Sequence, residues 1–370
     1  RDVLGSRGLG DVYKRQNGGR AMKKVLKILG IILLVVVLVL GGFVAYLSIR
    51  EYKPDEVETI DVSASESRKT FSGDTVKLIT FNTGYAGLGD NADFFMDGGK
   101  KVKSTDEDRM NENMNEISKF ITDKKADFYL LQEVDQNSSR SYSVNQVESY
   151  MKNTNLFGTF ALNYSCPFVP FPFPPIGKVN SGILTLTDYT VSSAERVSLP
   201  CPFKWPVSAA NLKRCLLINR VPIEGSDKEL VIVNLHLEAY DDGAGKAAQT
   251  QMLFSVLQKE YEKGNYVIAG GDFNQTFPGG VDAYPIQNTE TWTPGTLENT
   301  VLPAGWTFAY DTSVPTCRLL DKPYDAATSQ HYVIDGFILS PNVEKVTVET
   351  QDLGFHAADH NPVYLEVKLK

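Results

Sequence analysis

Six apolar runs in this chain each lead into or out of a polar cluster, and that pattern restricts the fold more than any other feature of the sequence. VKLITF (Val76 to Phe81) runs into Asn82, and DFYLL (Asp127 to Leu131) runs into Gln132 and Glu133. ELVIV leads to Asn234, Leu235 and His236, YVIAGG to Asp272, Phe273 and Asn274, and YVI to Asp335. Asp359, His360 and Asn361 precede PVYLEVKL (Pro362 to Leu369). Short runs rich in Val, Ile, Leu, Phe and Tyr predict strands. SGILTLT (Ser181 to Thr187), RCLLINRVPI (Arg214 to Ile223) and KVTVETQ (Lys345 to Gln351) join them, and YVIDGFILS (Tyr332 to Ser340) reads as one strand. Apolar residues spaced three and four apart predict helices over Arg109 to Lys124 and Gly245 to Lys263. Strands apolar on both faces, interleaved with helices, predict an α/β fold whose sheets are covered from outside.

The period of two places Asn234 and His236 on the face of Leu230 and Ile232, so a polar pair continues a buried face. Asp272 and Asn274 repeat that spacing. Carboxylates, amides and imidazoles gathered at strand ends are what a metal-phosphate site needs. Hard oxygen ligands bind Mg²⁺, imidazole and amide donors hold phosphate oxygens, and a buried Asp can take a proton from water. Taken singly, an NxH, a GDxN or a DH more often serves as a cap, a turn or a satisfied buried polar group. Their joint occurrence favours the site.

The segments LITFNTGY, YLLQEVD, VIVNLHL, IAGGDFNQT, YVIDGFILS and ADHNPVYLEVKL resemble the ordered motifs of the endonuclease/exonuclease/phosphatase superfamily, which includes deoxyribonuclease-like and sphingomyelinase-like enzymes. The resemblance covers about Thr75 to Lys370. It implies a four-layer α/β sandwich, two mixed sheets face to face with helices outside. It also implies hydrolysis of phosphodiester or phosphomonoester bonds with Mg²⁺, Mn²⁺ being a possible substitute. By the same resemblance Glu133 is the principal metal ligand, with Asn82 a second and Asp359 near the metal. His236 and Asn274 are phosphate and transition-state donors, and Asp272 orients and deprotonates the attacking water. His360 contacts the scissile phosphate and Asp335 orients it. Lys246 stands where many relatives have Arg, and no aromatic or basic substrate residue can be matched between Glu133 and His236. The substrate therefore stays open among lipid head group, small phosphodiester and nucleic acid. A non-catalytic binding module that keeps the fold is the alternative of another class. Such a module has no reason to retain Glu133, His236, Asp272, Asn274 and His360 together.

Val25 to Leu47 carries about twenty residues free of charge after Lys27, enough to cross a bilayer. Lys23, Lys24 and Lys27 precede it, which favours a cytoplasmic N-terminus. A cleaved signal peptide is the competing reading, but the run is long for one and no A-x-A site follows. The expected organisation is a non-native or disordered leader over 1–21 before a natural start at Met22, a transmembrane anchor over 22–50, a linker over 51–74 and the catalytic domain over 75–370. The expected protein is a single-pass cell-membrane monomer with its catalytic domain extracytoplasmic. A flexible tether of that length would keep the domain roughly 25 to 30 Å from its membrane.

The formal charge is −8, but from residue 54 on, 27 Lys and Arg face 42 Asp and Glu, a charge of −15. An acidic body disfavours tight binding of phosphate polymers unless basic groups concentrate or cations intervene, which tilts the reading towards a lipid or small phosphoester. Cys166 and Cys201 lie in Pro-rich aromatic stretches and are the candidate disulfide pair, with isolated thiols, Cys215 and Cys317 included, as the alternative. The stretch from Cys166 to Pro206 is expected to resist regular structure and reads either as an apolar loop offered to a bilayer or acyl chain or as a packed loop over the sandwich end. GAGKAA (Gly243 to Ala248) fails the phosphate-loop pattern at both ends. His356 and His360 are four apart, but Pro362 argues against a zinc-binding helix. His331 reads as an exposed or core-satisfied histidine.

Overall fold

The structure is a computed structural model describing the backbone of residues 7–103 and 105–370, with side chains described from residue 22 on. It divides into two units, residues 1–50 and Glu51–Lys370. The first contains helix α1 (Arg7–Ile49), whose portion Met22–Ile49, with a mean hydropathy of 3.2 over an 18-residue stretch, is long and apolar enough to cross a membrane. The leader expected over 1–21 falls on residues 1–6, which lie outside the described residues, and on 7–21, whose backbone continues α1.

The second unit contains, in chain order, β1 (Val57–Ile60), β2 (Thr75–Asn82), α2 (Glu107–Lys124), β3 (Phe128–Asp135), α3 (Gln146–Thr154), β4 (Phe157–Val169), β5 (Gly177–Thr187), β6 (Ser193–Ser198), β7 (Cys215–Pro222), β8 (Glu229–His236), α4 (Ala244–Glu262), β9 (Tyr266–Asp272), β10 (Thr307–Ala309), β11 (Asp335–Leu339), β12 (Val343–Thr350) and β13 (Val363–Leu369). One sheet has the order β1-β6-β7-β8-β9-β11-β10 and the other β12-β13-β2-β3-β5-β4. Both are mixed, because β8 pairs with β9 and β2 with β3 in parallel while their neighbours run antiparallel.

The alternation of side chains makes the layers. Val76, Leu78, Phe128 and Leu130 of one sheet pack against Leu230, Ile232, Ile268 and Phe337 of the other. Between them, Val231, Val233 and Leu235 turn outward to Leu253 and Leu257 of α4. Ile79, Phe81, Tyr129 and Leu131 turn outward to Met110, Ile117 and Ile121 of α2 and Val147 of α3. Helices thus cover the outer faces of two sheets packed face to face, the four layers expected from the sequence. Asp106 caps α2 by accepting from the Arg109 N–H, and Asn145 caps α3 through the Glu148 N–H.

Several local expectations are overturned. Residues 51–74 are folded onto the domain and are no tether: β1 pairs with β6, and Phe71 is buried in the inter-sheet core. β1 is a half-exposed edge strand of four residues, too short to show a period. The stretch from Cys166 to Pro206 is regular over about half its length, since β4 and β5 form a long hairpin and β6 follows, while the hairpin tip, residues 170–176, and residues 199–206 are irregular as expected. Pro167 is accommodated where the β4–β5 register shifts between Cys166 and Val169. YVIDGFILS is split, with His331 and Tyr332 pairing with Arg318 and Cys317 before β11 begins. The four cysteines are free thiols. At the start of α4, Asp241 Oδ2 accepts from the N–H groups of Gly243, Gly245 and Lys246, so a carboxylate already occupies the place a phosphate loop would give its ligand.

Candidate active site

Three neighbouring strands line up one polar row. β8 places His236 opposite Asp272 on β9, and β11 places Asp335 opposite the same Asp272. Gly271 permits this register, because a Cβ there would lie 1.9 Å from the Leu235 carbonyl oxygen of β8, and at Gly270 one would strike the Phe337 ring. The glycine pair therefore serves strand packing within β9.

Asp272 is 1 % exposed and is held at both oxygens. Oδ1 accepts from the Asn274 N–H at 2.8 Å, and Oδ2 accepts from Asn82 Nδ2 at 3.0 Å. Oδ2 also lies 3.4 Å from His236 Nε2 and 3.8 Å from His360 Nε2. Burial, reinforced by the Asp335 charge, pushes Asp272 up to about 6. His360 Nδ1 sits 2.8 Å from Asp335 Oδ2. Burial disfavours the charge on His360, but Asp335 and then Cys317 outweigh it and hold the ring well above its ordinary value. His236 is driven the other way, by burial first and then by the charges of Arg214, His360 and Arg140. The two imidazoles are thus set apart, His236 neutral and His360 cationic. Asp272, Asp335 and His360 bring ligand atoms within 4.8 Å of one another. An imidazolium between two carboxylates accounts for that cluster without a metal.

Across from this row, on the facing sheet, β2 ends at Asn82, paired with Gln132 of β3. Glu133 follows at a shift in the β3–β5 register with φ +53°, and Thr83 Oγ1 donates to the Gln132 and Glu133 carbonyls at 3.0 and 3.3 Å. The bulge re-aims the Glu133 carboxylate. Asn82 Nδ2 donates to Glu133 Oε1 at 3.3 Å as well as to Asp272, while its Oδ1 accepts from the Gly84 N–H. Asn82 therefore joins the two sheets' carboxylates. Asp359 Oδ1 is buried with no hydrogen-bond partner among the described residues, and a Cβ at Gly84, where φ is +49°, would approach it to 2.7 Å. Burial and the Glu133 charge push Asp359 up to about 7, against the opposing pull of His360. Asn274, with φ +50°, donates from Nδ2 to the Leu237 carbonyl at 2.9 Å.

All eight residues singled out in the sequence meet in this one region. Gln132 and Asn234, also at strand ends, do not join them. Gln132 Nε2 donates to Asn234 Oδ1 at 2.8 Å, and Asn234 Nδ2 donates to the Leu131 and Leu184 carbonyls, forming a buried amide bridge between the sheets. Other neighbours of the site were missed in the sequence. Arg140 forks onto Asp135 at 3.0 and 2.9 Å and lies 3.8 Å over the Tyr85 ring, a basic residue between Glu133 and His236. Tyr240 donates to Asp97 Oδ1 at 2.8 Å, and burial pushes Asp97 up to about 6. Thr316 Oγ1 accepts from the N–H groups of Ile334 and Asp335. None of these carries a periodic signal. His356 is exposed and paired with Glu116 at 2.7 Å, and half-buried His331 stacks on Phe355, so neither belongs to the site. Lys246 is buried and donates to the Ala239 carbonyl.

The sequence profile of the endonuclease/exonuclease/phosphatase family matches residues 79–360. No curated protein matches the chain. Among solved structures, an endonuclease/exonuclease/phosphatase from Beutenbergia cavernae is similar at TM-score 0.53 and 14% identity, over 80% of this chain and 72% of that one. One from Bacteroides vulgatus is similar at TM-score 0.52 and 17% identity, over 80% and 99%. A family protein from Leptotrichia buccalis is similar at TM-score 0.51 and 13% identity, over 80% and 100%. With the profile spanning most of the domain and the two-sheet fold shared, the chain belongs to the endonuclease/exonuclease/phosphatase family.

Proposed function

We propose that the protein is a membrane-anchored, extracytoplasmic, Mg²⁺-dependent phosphohydrolase that cleaves phosphodiester bonds with an activated water. The observation that carries this reading is the row His236, Asp272, Asp335 with His360 Nδ1 at 2.8 Å from Asp335, linked through Asn82 to Glu133 of the facing sheet.

Glu133 and Asp359 fit a divalent cation. Burial and then the Glu133 charge raise the cost of ionising Asp359, which keeps a buried oxygen without a partner among the described residues. Oxygen donors of this kind suit Mg²⁺ better than a softer metal, and Mn²⁺ is a reasonable substitute. Glu133 and Asp359, with Asn82 adjoining, would hold such a cation, which would supply positive charge against the phosphate oxygens.

The remaining chemistry lies in the chain's own side chains. Asp272, fixed by Asn82 and the Asn274 N–H, orients a water for in-line attack and accepts its proton at Oδ2. Its raised pKa makes it a better base than an exposed carboxylate. Imidazolium His360, aligned by Asp335, donates to a non-bridging phosphate oxygen, and His236 and Asn274 supply further donors. Helix Met22–Ile49, read as an uncleaved span with Met22 to Lys27 cytoplasmic, holds the domain at a membrane. A nuclease would use the same site. The charge of −15 from residue 54 on favours lipid or small phosphoesters over a long polyanion. The test is turnover by the purified protein with Mg²⁺ on sphingomyelin, phosphoinositides, DNA, RNA and a chromogenic phosphodiester. Absence of turnover on all of them contradicts the proposal.

A further inference from the structure

Two buried polar atoms flank the turn that follows β2, and neither has a hydrogen-bond partner among the described residues. One is Asp359 Oδ1, which a Cβ at Gly84 would approach to 2.7 Å. The other is the hydroxyl of Tyr85, a residue only 2 % exposed. A buried donor without an acceptor costs free energy, so a fold that keeps one calls for a reason.

Several neighbours hold the phenol where it is. Tyr85 has φ +41° and Ala86 φ +54°, a left-handed backbone that a bulky side chain adopts only where its surroundings fix it. Gln146 Nε2 donates to the Tyr85 carbonyl at 2.7 Å, and Asn113 Nδ2 donates to the Ala86 carbonyl at 2.9 Å. At Gly87 a Cβ would lie 2.5 Å from the Tyr85 ring, so only glycine leaves it room. Over the ring lies the Arg140 guanidinium, at 3.8 Å from its centroid. Arg140 is fixed in turn, since it forks onto Asp135 and Nη2 also donates to Ser181 Oγ at 3.2 Å. Its charge is balanced by Asp135, and what remains for it to do here is to clamp the ring.

The hydroxyl stands in the field of the candidate cation site. Burial first, and then the Glu133 and Asp359 charges against the pull of Arg140, hold the phenol well above its ordinary value, so it is a donor throughout the neutral range. Asp359 Oδ1 calls for positive charge or a donor, and Tyr85 calls for an acceptor. The two are complementary, yet they are not bonded to each other. A phosphate oxygen resting on a cation held by Glu133 and Asp359 would answer both needs.

We infer that Tyr85 is a substrate-binding residue: its hydroxyl donates to a non-bridging oxygen of the scissile phosphate from the Glu133 side of the cleft, opposite His236 and His360, and Arg140 is the positioning residue that holds its ring. The inference rests on the proposed phosphohydrolase function and deepens it, because the phosphate is then gripped from both sheets.

The test is Tyr85→Phe in the full chain, which keeps the ring and the Arg140 contact and removes only the hydroxyl. Thermal unfolding is followed by tryptophan emission, with Mg²⁺ alone and with Mg²⁺ plus inorganic phosphate, and turnover is measured on a chromogenic phosphodiester. Wild type should melt higher with phosphate, and Tyr85→Phe should lose most of that rise. With Mg²⁺ alone the variant should melt at or above wild type, because a buried hydroxyl without a partner has been removed. Its kcat/KM should fall about tenfold to hundredfold, the effect of one hydrogen bond to a charged group. A phosphate-induced rise equal to that of wild type, or an unchanged kcat/KM, overturns the inference. So does a variant that melts lower with Mg²⁺ alone, since the hydroxyl is then satisfied inside the fold. A wild type with neither turnover nor a phosphate-induced rise overturns the proposed function and this inference with it, whereas turnover by wild type that Tyr85→Phe fully retains overturns this inference alone.

Discussion

The floor of the cleft and its rim are built on different principles. On the floor the polar groups are carried by strands or by the residues next to their ends, and all but Glu133 are buried: Asp272 alone is fixed by Asn82 and Asn274 and flanked by two imidazoles. The rim is made of loops that meet across long stretches of chain, Asp97 with Tyr240 and Phe95 with Phe171, and it leaves large aromatic side chains in water. Rigid strand ends suit chemistry, which tolerates little misplacement. Loops can change without unsettling the sheets, so they suit the choice of substrate. If this division is right, substitutions on the floor should abolish turnover on every substrate, and substitutions on the rim should discriminate among substrates.

The largest effect is expected at Asp272. Asp272→Asn preserves shape and removes the base, and kcat should fall by about 10² to 10⁴ with unchanged circular dichroism. An unaltered kcat would remove Asp272 from the chemistry. A smaller loss is expected from Asp335→Asn, which leaves His360 without its anion: about tenfold to hundredfold in turnover, by analogy with other groups that orient a reactive imidazole. Loss of the fold in that variant, detected by a collapsed melting transition, would make Asp335 structural instead.

The amide bridge tests where the floor stops. Asn234→Leu strands Gln132 and two carbonyls in the inter-sheet core and should cost about 1 to 3 kcal/mol in urea unfolding, while kcat of the folded fraction stays near wild type. A large drop in kcat without destabilisation would extend the catalytic floor to Asn234. The smallest effect is expected on the rim. Phe171→Ser combined with Phe173→Ser should leave turnover of a soluble chromogenic phosphodiester unchanged and lower it on vesicle lipids. Equal loss on both substrates would erase the distinction between floor and rim.

That distinction also explains what the sequence revealed. In ELVIVNLHL the alternation of two carries directly from Ile232 to Asn234 and His236, and both do face the other sheet, so the floor could be read from local pattern. The period could not say which of the two joined the site, because Asn234 is taken up by Gln132 on the facing sheet. β1 was missed because an edge strand of four residues with every second side chain exposed looks like a polar linker. β4 was missed because Pro167 and the Phe/Pro tip masked the alternation that precedes them. Arg140, Asp97 and Tyr240 depend on contacts that only the folded chain makes, with partners such as Tyr85 and each other. Pairings of that kind have no signature in a single sequence.

The most direct test of the catalytic floor is divalent-cation rescue with Glu133 as the probe. The full-length protein is stripped with chelator, assayed on a chromogenic phosphodiester, and titrated with Mg²⁺, for wild type and Glu133→Gln side by side. The wild type should be silent after stripping and recover with added Mg²⁺ or Mn²⁺, while Glu133→Gln should need far more cation and recover only a small part of the rate. Full wild-type turnover in excess chelator, or a Glu133→Gln titration that overlays the wild type, would contradict the account.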